Sequence, residues 1–312
     1  MLHGGRVVYE RYAGCLDRDG ARTLGLHGMM SVTKSVTGLM AEMLIADGVL
    51  IEGAPVTDLI PELSGSAFDG ATVRDVLDMR TALDYSEDYA DPDAEIWDYA
   101  AAINGLPAAK DYDGPRGVYA YLPTLEAKAE PGGAFEYQTP NADLAGWLVS
   151  RASGIPLDRL LSERIWRPMG AAREGYFLVD SIGIPSAGGG YNAALEDMAR
   201  LGQVMLSGGT DPNGTRVLPE AVVDSIAGGG DQDAFARSDH NALERWSYRS
   251  LWWHTDGVAY AARGVHGQTI YVDPDADMVI ARFATHPVAA NGANDPTSLP
   301  AYAAVATHLA GH

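Results

Sequence analysis

The sequence predicts an α+β protein, with an antiparallel sheet assembled from both chain ends, flanked by helices, and a mainly helical lobe inserted in the middle. Three observations carry this expectation. Residues 249–285 fall into short apolar segments separated by turn residues, a strand-like segment opens the chain, and the middle switches to a 3.6-residue apolar period. The sheet lobe is expected at roughly 1–30 and 245–312, and the helical lobe at roughly 50–190, of a single domain spanning 1–312.

Residues 6–12 (RVVYERY) alternate enough for a first strand, between turns at Gly4-Gly5 and at Asp17 to Gly20. From Ser31 to Asp47 the residues Val32, Val36, Leu39, Met40, Met43 and Leu44 form a wide apolar face, and Gly48 ends the run. Residues 72–79 predict a short amphipathic helix with Thr72 near its cap. A long irregular stretch rich in Gly, Pro, Tyr and Asp follows, the kind of aromatic loop that borders binding sites. Asn141 is expected to cap a helix closed by Gly154. Residues 161–170 read as another short helix, and the segment from Asn192 to Gly209 as a longer one. Strands are then expected around 248–254, 258–264, 269–274 and 277–285, with turns at Asp256-Gly257, Gly264 to Gly267 and Pro274-Asp275. Residues 298–311 predict a closing helix whose apolar stripe suits packing on that sheet.

Composition narrows the function classes. With 22 basic against 42 acidic residues the net charge is −20, a field that repels nucleic acid and anionic membrane surfaces and mildly favours neutral or amine-bearing ligands. No stretch approaches the roughly 20 apolar residues of a membrane span. The first residues lack the apolar core of a secretory signal, and the single cysteine, Cys15, excludes an internal disulfide; both favour a cytoplasmic location. There is no G-x-S-x-G elbow, no H-E-x-x-H and no Cys/His cluster, and Gly188-Gly189-Gly190 lacks the Lys-Ser/Thr of a phosphate loop. No metal or cofactor is expected.

The chemistry concentrates at Ser31-Val32-Thr33-Lys34. Residues three apart share a helix face, so a hydroxyl and an amine can meet there. Ser31 stands at the helix start, where backbone N–H groups favour developing negative charge. Lys34 faces an apolar core, which disfavours its ammonium form. The plain alternative is a capping serine beside a lysine that reaches out to solvent. Against that stands scarcity: Lys34, Lys110 and Lys128 are the only lysines, so one inside an apolar helix needs a reason.

Three segments in order extend the pattern: Met30-Ser31-Val32-Thr33-Lys34-Ser35, then Tyr137-Gln138-Thr139, then Gly264-Val265-His266-Gly267-Gln268. In this the chain resembles the serine β-lactamase-like superfamily of class C β-lactamases, D-alanyl-D-alanine carboxypeptidases and family VIII esterases. It is most similar to the 6-aminohexanoate-dimer (nylon-oligomer) hydrolase branch, from residues 10–12 to 279–283. The resemblance implies a β-lactamase/transpeptidase-like fold. It also implies Ser31 as nucleophile, Lys34 as its base and Tyr137 as the group that passes a proton to the leaving group. By the same likeness Tyr89 would close over substrate from an acidic loop, with Tyr85 and Trp97 near it. His266, Gly267 and Thr139 would border the substrate. The chain departs from β-lactamases at Thr139, where they carry asparagine, and at VHGQ, where they carry Lys-Thr-Gly.

The expected activity is therefore a serine hydrolase acting through an acyl-enzyme on small linear amides and carboxylic esters. The expected partner is a small-molecule ester or amide rather than nucleic acid or membrane, with a homodimer left open as an assembly. The rival readings are a β-lactamase or D-amino-acid peptidase on the same scaffold, and a non-catalytic binding protein of this fold. For Tyr137 the plain alternative is a core aromatic, for His266 a structural turn residue, and for most of the six acids from Asp84 to Glu95 a solvated loop.

Overall fold

The structure, a computed structural model, describes residues 1–13, 25–103 and 112–310. The turn expected at Asp17 to Gly20 lies outside them, as do Cys15 and Lys110.

The sheet draws on both ends of the chain. Strands β1 (Leu2–His3) and β2 (Arg6–Val7) precede a small strand β3 (His27–Gly28). At the far end lie β6 (Ser247–Arg249), β7 (Trp252–His254), β8 (Tyr260–Gly264), β9 (Gln268–Asp273) and β10 (Met278–Arg282). They form one antiparallel sheet in the order β2-β1-β10-β9-β8-β7-β6, with Leu2 opposite Val279 joining the two ends. The pleat sends Ile270 and Val272 into the main core and Tyr271 and Met278 to the other face. There the closing helix α11 (Asp295–Ala310) covers them through Tyr302, as its stripe predicts. The strand expected at 6–12 shortens to Arg6–Val7. It is the sheet's outer strand, and beyond it the chain folds back, with the Val8 and Tyr9 N–H groups both donating to the Met1 carbonyl.

Helix α1 (Val32–Ala46) crosses the inner face of the sheet. The sequence shows one apolar face, but every residue from Val32 to Leu44 is buried, polar ones included, because the sheet covers one side and the helical lobe the other. That lobe contains α2 (Val56–Leu59), α3 (Val73–Leu77), α4 (Glu95–Ala102), α5 (Val118–Tyr121), α6 (Thr139–Ser153) and α7 (Leu157–Leu161). A second small sheet, β3-β5-β4, follows from β4 (Tyr176–Phe177) and β5 (Tyr191–Ala193). Helix α8 (Leu195–Leu206) then packs on β9 and β10, and α9 (Glu220–Ala227) and α10 (Gln232–Ala236) lead into β6.

Three local expectations change. Thr72 caps α3 as expected, in a reciprocal box with Asp75, but Asn141 caps nothing. Helix α6 starts three residues earlier, at Thr139 in place of Ala142, because its first N–H is satisfied from elsewhere in the chain by the Glu87 carboxylate at 2.5 Å. Asn141 is instead fully buried inside the helix and accepts from Thr81 Oγ1 at 2.7 Å. The helix expected from Asn192 begins only at Leu195. Tyr191–Ala193 is extended, paired with β3 and β4, and tied to α1 by the Tyr191 N–H on Thr33 Oγ1 at 3.1 Å. The irregular stretch before Asn141 also contains α4 and α5, and the residues between α8 and β6 contain α9 and α10.

Candidate active site

Met30 has a left-handed backbone (φ 49°), unusual for a residue with a side chain, and this turn delivers Ser31 to the tip of α1. Ser31 is 7% exposed and lines the cavity in front of it. Lys34 is 1% exposed, and its Nζ lies 3.0 Å from Ser31 Oγ and donates to the Gly188 carbonyl at 2.7 Å. The lysine does not reach solvent. Burial pulls its pKa below the ordinary lysine value, and the nearby Glu87 and Asp143 carboxylates offset part of that.

Tyr137 lines the same cavity as Ser31, and Lys34 Nζ stands 5.2 Å from its ring centroid. The ring stacks on Trp253, 5.4 Å between centroids. Burial and the Glu87 charge raise the phenol's pKa, with Ser31 and Arg263 acting in the opposite sense. At neutral pH Tyr137 therefore keeps its proton. This divides the labour: Lys34 is the group that can lose a proton, and Tyr137 the group that can pass one on.

Behind Ser31, β8 ends against the tip of α1. A side chain at Gly264 would begin 2.9 Å from the Met29 carbonyl oxygen and 3.0 Å from the Ser31 nitrogen, so only glycine permits this approach. Val265, the next residue, lines the cavity with Ser31. The cavity holds about 680 Å³. Tyr89, Tyr137, Trp253 and Leu243 supply much of its apolar wall, and Glu87, His240 and Arg263 its polar groups. Burial and the Arg263 charge lower the His240 pKa, which favours a neutral imidazole there.

The other expected residues divide. Tyr89 lines the cavity, and its hydroxyl donates to Glu87 at 2.7 Å. Thr139 does not line it; its hydroxyl donates to Glu87 at 2.6 Å, latching the acidic loop to the start of α6. His266 and Gly267 also fall outside the lining. The His266 ring lies on the His286 carbonyl at 2.7 Å, and the Gly267 carbonyl accepts from Arg282 Nε at 2.9 Å, so both hold the chain after β10 in place. Tyr85 is buried edge-on against Tyr99, and Trp97 packs edge-on against Tyr89, neither touching the cavity. Of the six acids from Asp84 to Glu95, Glu87 faces the site and the other five are exposed. Among the described residues no group of three His, Cys, Asp or Glu side chains could hold a metal ion.

Sequence reasoning missed the individual role of Glu87, and also Arg263 and Asp143. For Asp143 a signal existed: an acid inside the apolar run of α6 is as anomalous as the lysine inside α1. Arg263 gave a weaker one, a cation within a strand of otherwise small and aromatic residues.

Residues 1–303 match the family described as Beta-lactamase. The chain belongs to that family. Within it, the 6-aminohexanoate-dimer hydrolase of Paenarthrobacter ureafaciens is 35% identical over 290 residues, covering 92% of this chain and 72% of that protein. Esterase EstB of Burkholderia gladioli is 27% identical over 179 residues, 55% of this chain and 44% of its own length. A solved structure from Bacillus anthracis, named as a proposed 6-aminohexanoate-dimer hydrolase, superposes with a TM-score of 0.86 at 32% identity, covering 99% of this chain and 78% of that one. The β-lactamase/transpeptidase-like fold expected of the chain is thus shown, and so is its kinship with the hydrolases of this family. No helix of the described residues is long and apolar enough to cross a membrane.

Proposed function

We propose that the chain is a serine hydrolase of small carboxylic esters and linear amides that works through an acyl-enzyme on Ser31. The observation that carries this reading is the buried Lys34 amine 3.0 Å from the Ser31 hydroxyl, at a helix tip that opens on the cavity. As Ser31 Oγ attacks the substrate carbonyl, its proton passes to neutral Lys34. The carbonyl oxygen becomes an oxyanion against the Ser31 N–H and a backbone N–H at Val265. Tyr137 gives its proton to the leaving alkoxide or amine as the C–O or C–N bond breaks, and recovers one from Lys34. Water then attacks the ester of Ser31 by the same relay in reverse, releasing the acid and restoring the serine hydroxyl.

Two relatives' names, a 6-aminohexanoate-dimer hydrolase and an esterase, support the substrate classes. A β-lactam specialist is less well served. Thr139, where β-lactamases present an amide, has its N–H and hydroxyl both engaged by Glu87. Incubation with p-nitrophenyl acetate, and separately with a linear amide dimer and a β-lactam, followed by mass spectrometry, tests the reading. The expected result is an acyl group on Ser31 from the ester or the amide. An adduct on another residue, or full turnover by Ser31→Ala, overturns it.

A further inference from the structure

Outside the cavity lining, and acting on Lys34, lies a second buried titratable group that the reaction scheme does not use. Asp143, on α6, is 2% exposed. One carboxylate oxygen accepts from the Tyr99 hydroxyl at 2.5 Å, and the other from the Gly188 N–H at 3.0 Å. Both groups donate to the carboxylate, and these bonds, with the Lys34 charge, favour its ionised form against the burial that raises its pKa. The carbonyl of the same residue, on its next peptide group, accepts from the Lys34 amine at 2.7 Å. Gly188 thus touches the acid through its N–H and the lysine through its C=O. The residue is confined there: a side chain would begin 2.7 Å from Thr139 Cγ2 and 2.9 Å from the Asp143 carboxylate.

We propose that Asp143 is a positioning residue for Lys34, holding the Gly188 carbonyl against the amine and placing a buried negative charge near it. The inference rests on the proposed Ser31 chemistry for its catalytic meaning, but not for its electrostatics. Burial disfavours the ammonium form of Lys34, and a proton held too weakly there could not be returned to Tyr137 and the leaving group. With Asp143 near it the amine binds a proton more firmly and can cycle between base and acid. Lys34 also faces Glu87 from the acidic loop and Tyr137 from the segment before α6. Asp143 itself faces Tyr99 of α4, and feels Lys34 of α1. Glu87 and Asp143 act on the lysine in the same sense, so removing one leaves the other in place.

The test uses Asp143→Asn, which keeps the shape and loses the charge, with Asp143→Ser as a second variant should the first fail to fold. Lysines are labelled with ¹³C at Cε, and because the sequence holds only Lys34, Lys110 and Lys128 the buried one stands apart in the spectrum. The expected result is a Lys34 titration midpoint about one pH unit lower in the variant. With it, the rising limb of kcat/KM for an ester substrate moves to lower pH by the same amount, while KM changes little. An unmoved midpoint in a folded variant overturns the inference, whatever happens to activity, because a merely structural role would lower the rate without shifting it. Failure of the Ser31 reading is recognised separately, by the absence of an acyl adduct on Ser31 in the unaltered protein. A midpoint that moves without any change in the pH profile would also sink the catalytic part of the inference.

Discussion

At the scale of single residues, the site depends on one amine kept where it can lose its proton. Burial lowers the Lys34 pKa, so as pH rises the base-competent form appears earlier than for an exposed lysine. The sign follows: kcat/KM should rise with pH along a limb centred below the ordinary lysine value of 10.5, then level off. Tyr137, with its pKa raised, contributes no falling limb in the assay range. A pH profile measured with a neutral ester checks this, and activity that falls as pH rises through neutrality would contradict it. Replacing the amine tests the same point by another route. Lys34→Arg keeps a cation of similar length but cannot deprotonate, so it should lose activity as fully as Lys34→Met, by roughly 10³-fold or more. Rescue by arginine in steady-state assays would show that charge, and not basicity, is what the position supplies.

At the scale of elements, what the sequence revealed follows from where the causes are local. Helix α1 was legible because its apolar positions, its serine start and its Gly48 end lie within eighteen residues of each other. The late strands were legible because turn residues punctuate them, and Thr72 because its capping partner is three residues away. The start of α6 was not, because its cap comes from Glu87, more than fifty residues earlier. The surroundings of His266 were illegible for a related reason: its ring lies on the His286 carbonyl, a partner twenty residues on that no spacing rule reveals. At Gly264, β8 abuts the tip of α1. Gly264→Ala should force them apart by a few tenths of an ångström and misalign the backbone donors around the oxyanion. The expected result is a kcat lower by roughly 10²-fold with KM little changed. A variant with full kcat would show that this approach does not matter to the reaction. The acidic loop offers a second case. Glu87→Ala would release both Tyr89 and Thr139, which now share its carboxylate, and KM for an amide dimer should rise several-fold in steady-state kinetics.

At the scale of the whole molecule, a buried cluster of charges joins the sheet lobe to the helical lobe. Arg74 of α3 pairs with Glu42 of α1 at 2.9 Å, with Asp78 at 3.3 Å and with Glu52 at 2.7 Å. It also donates to Ser250 Oγ at 2.8 Å, in the turn between β6 and β7, whose hydroxyl in turn binds Glu42. Helix α1, the helical lobe and the sheet thus share one guanidinium. Glu42 and Asp78 keep little solvent, with side chains 4% and 10% exposed, whereas Glu52 is 53% exposed. Water can replace the partner of the last but not of the first two. Arg74→Met should therefore lower unfolding stability by about 3–5 kcal/mol, because it leaves the buried Glu42 without a cation, whereas Asp78 keeps Arg249 at 3.4 Å. Glu52→Gln, which breaks the exposed arm alone, should cost no more than about 1 kcal/mol. Urea unfolding at neutral pH measures both. Adding Glu42→Gln to Arg74→Met separates charge from packing: if the stranded carboxylate is what destabilises, the double variant recovers part of the loss. If it recovers none, the aliphatic stem of Arg74 and its bond to Ser250 hold the lobes together, and the charges are incidental to it.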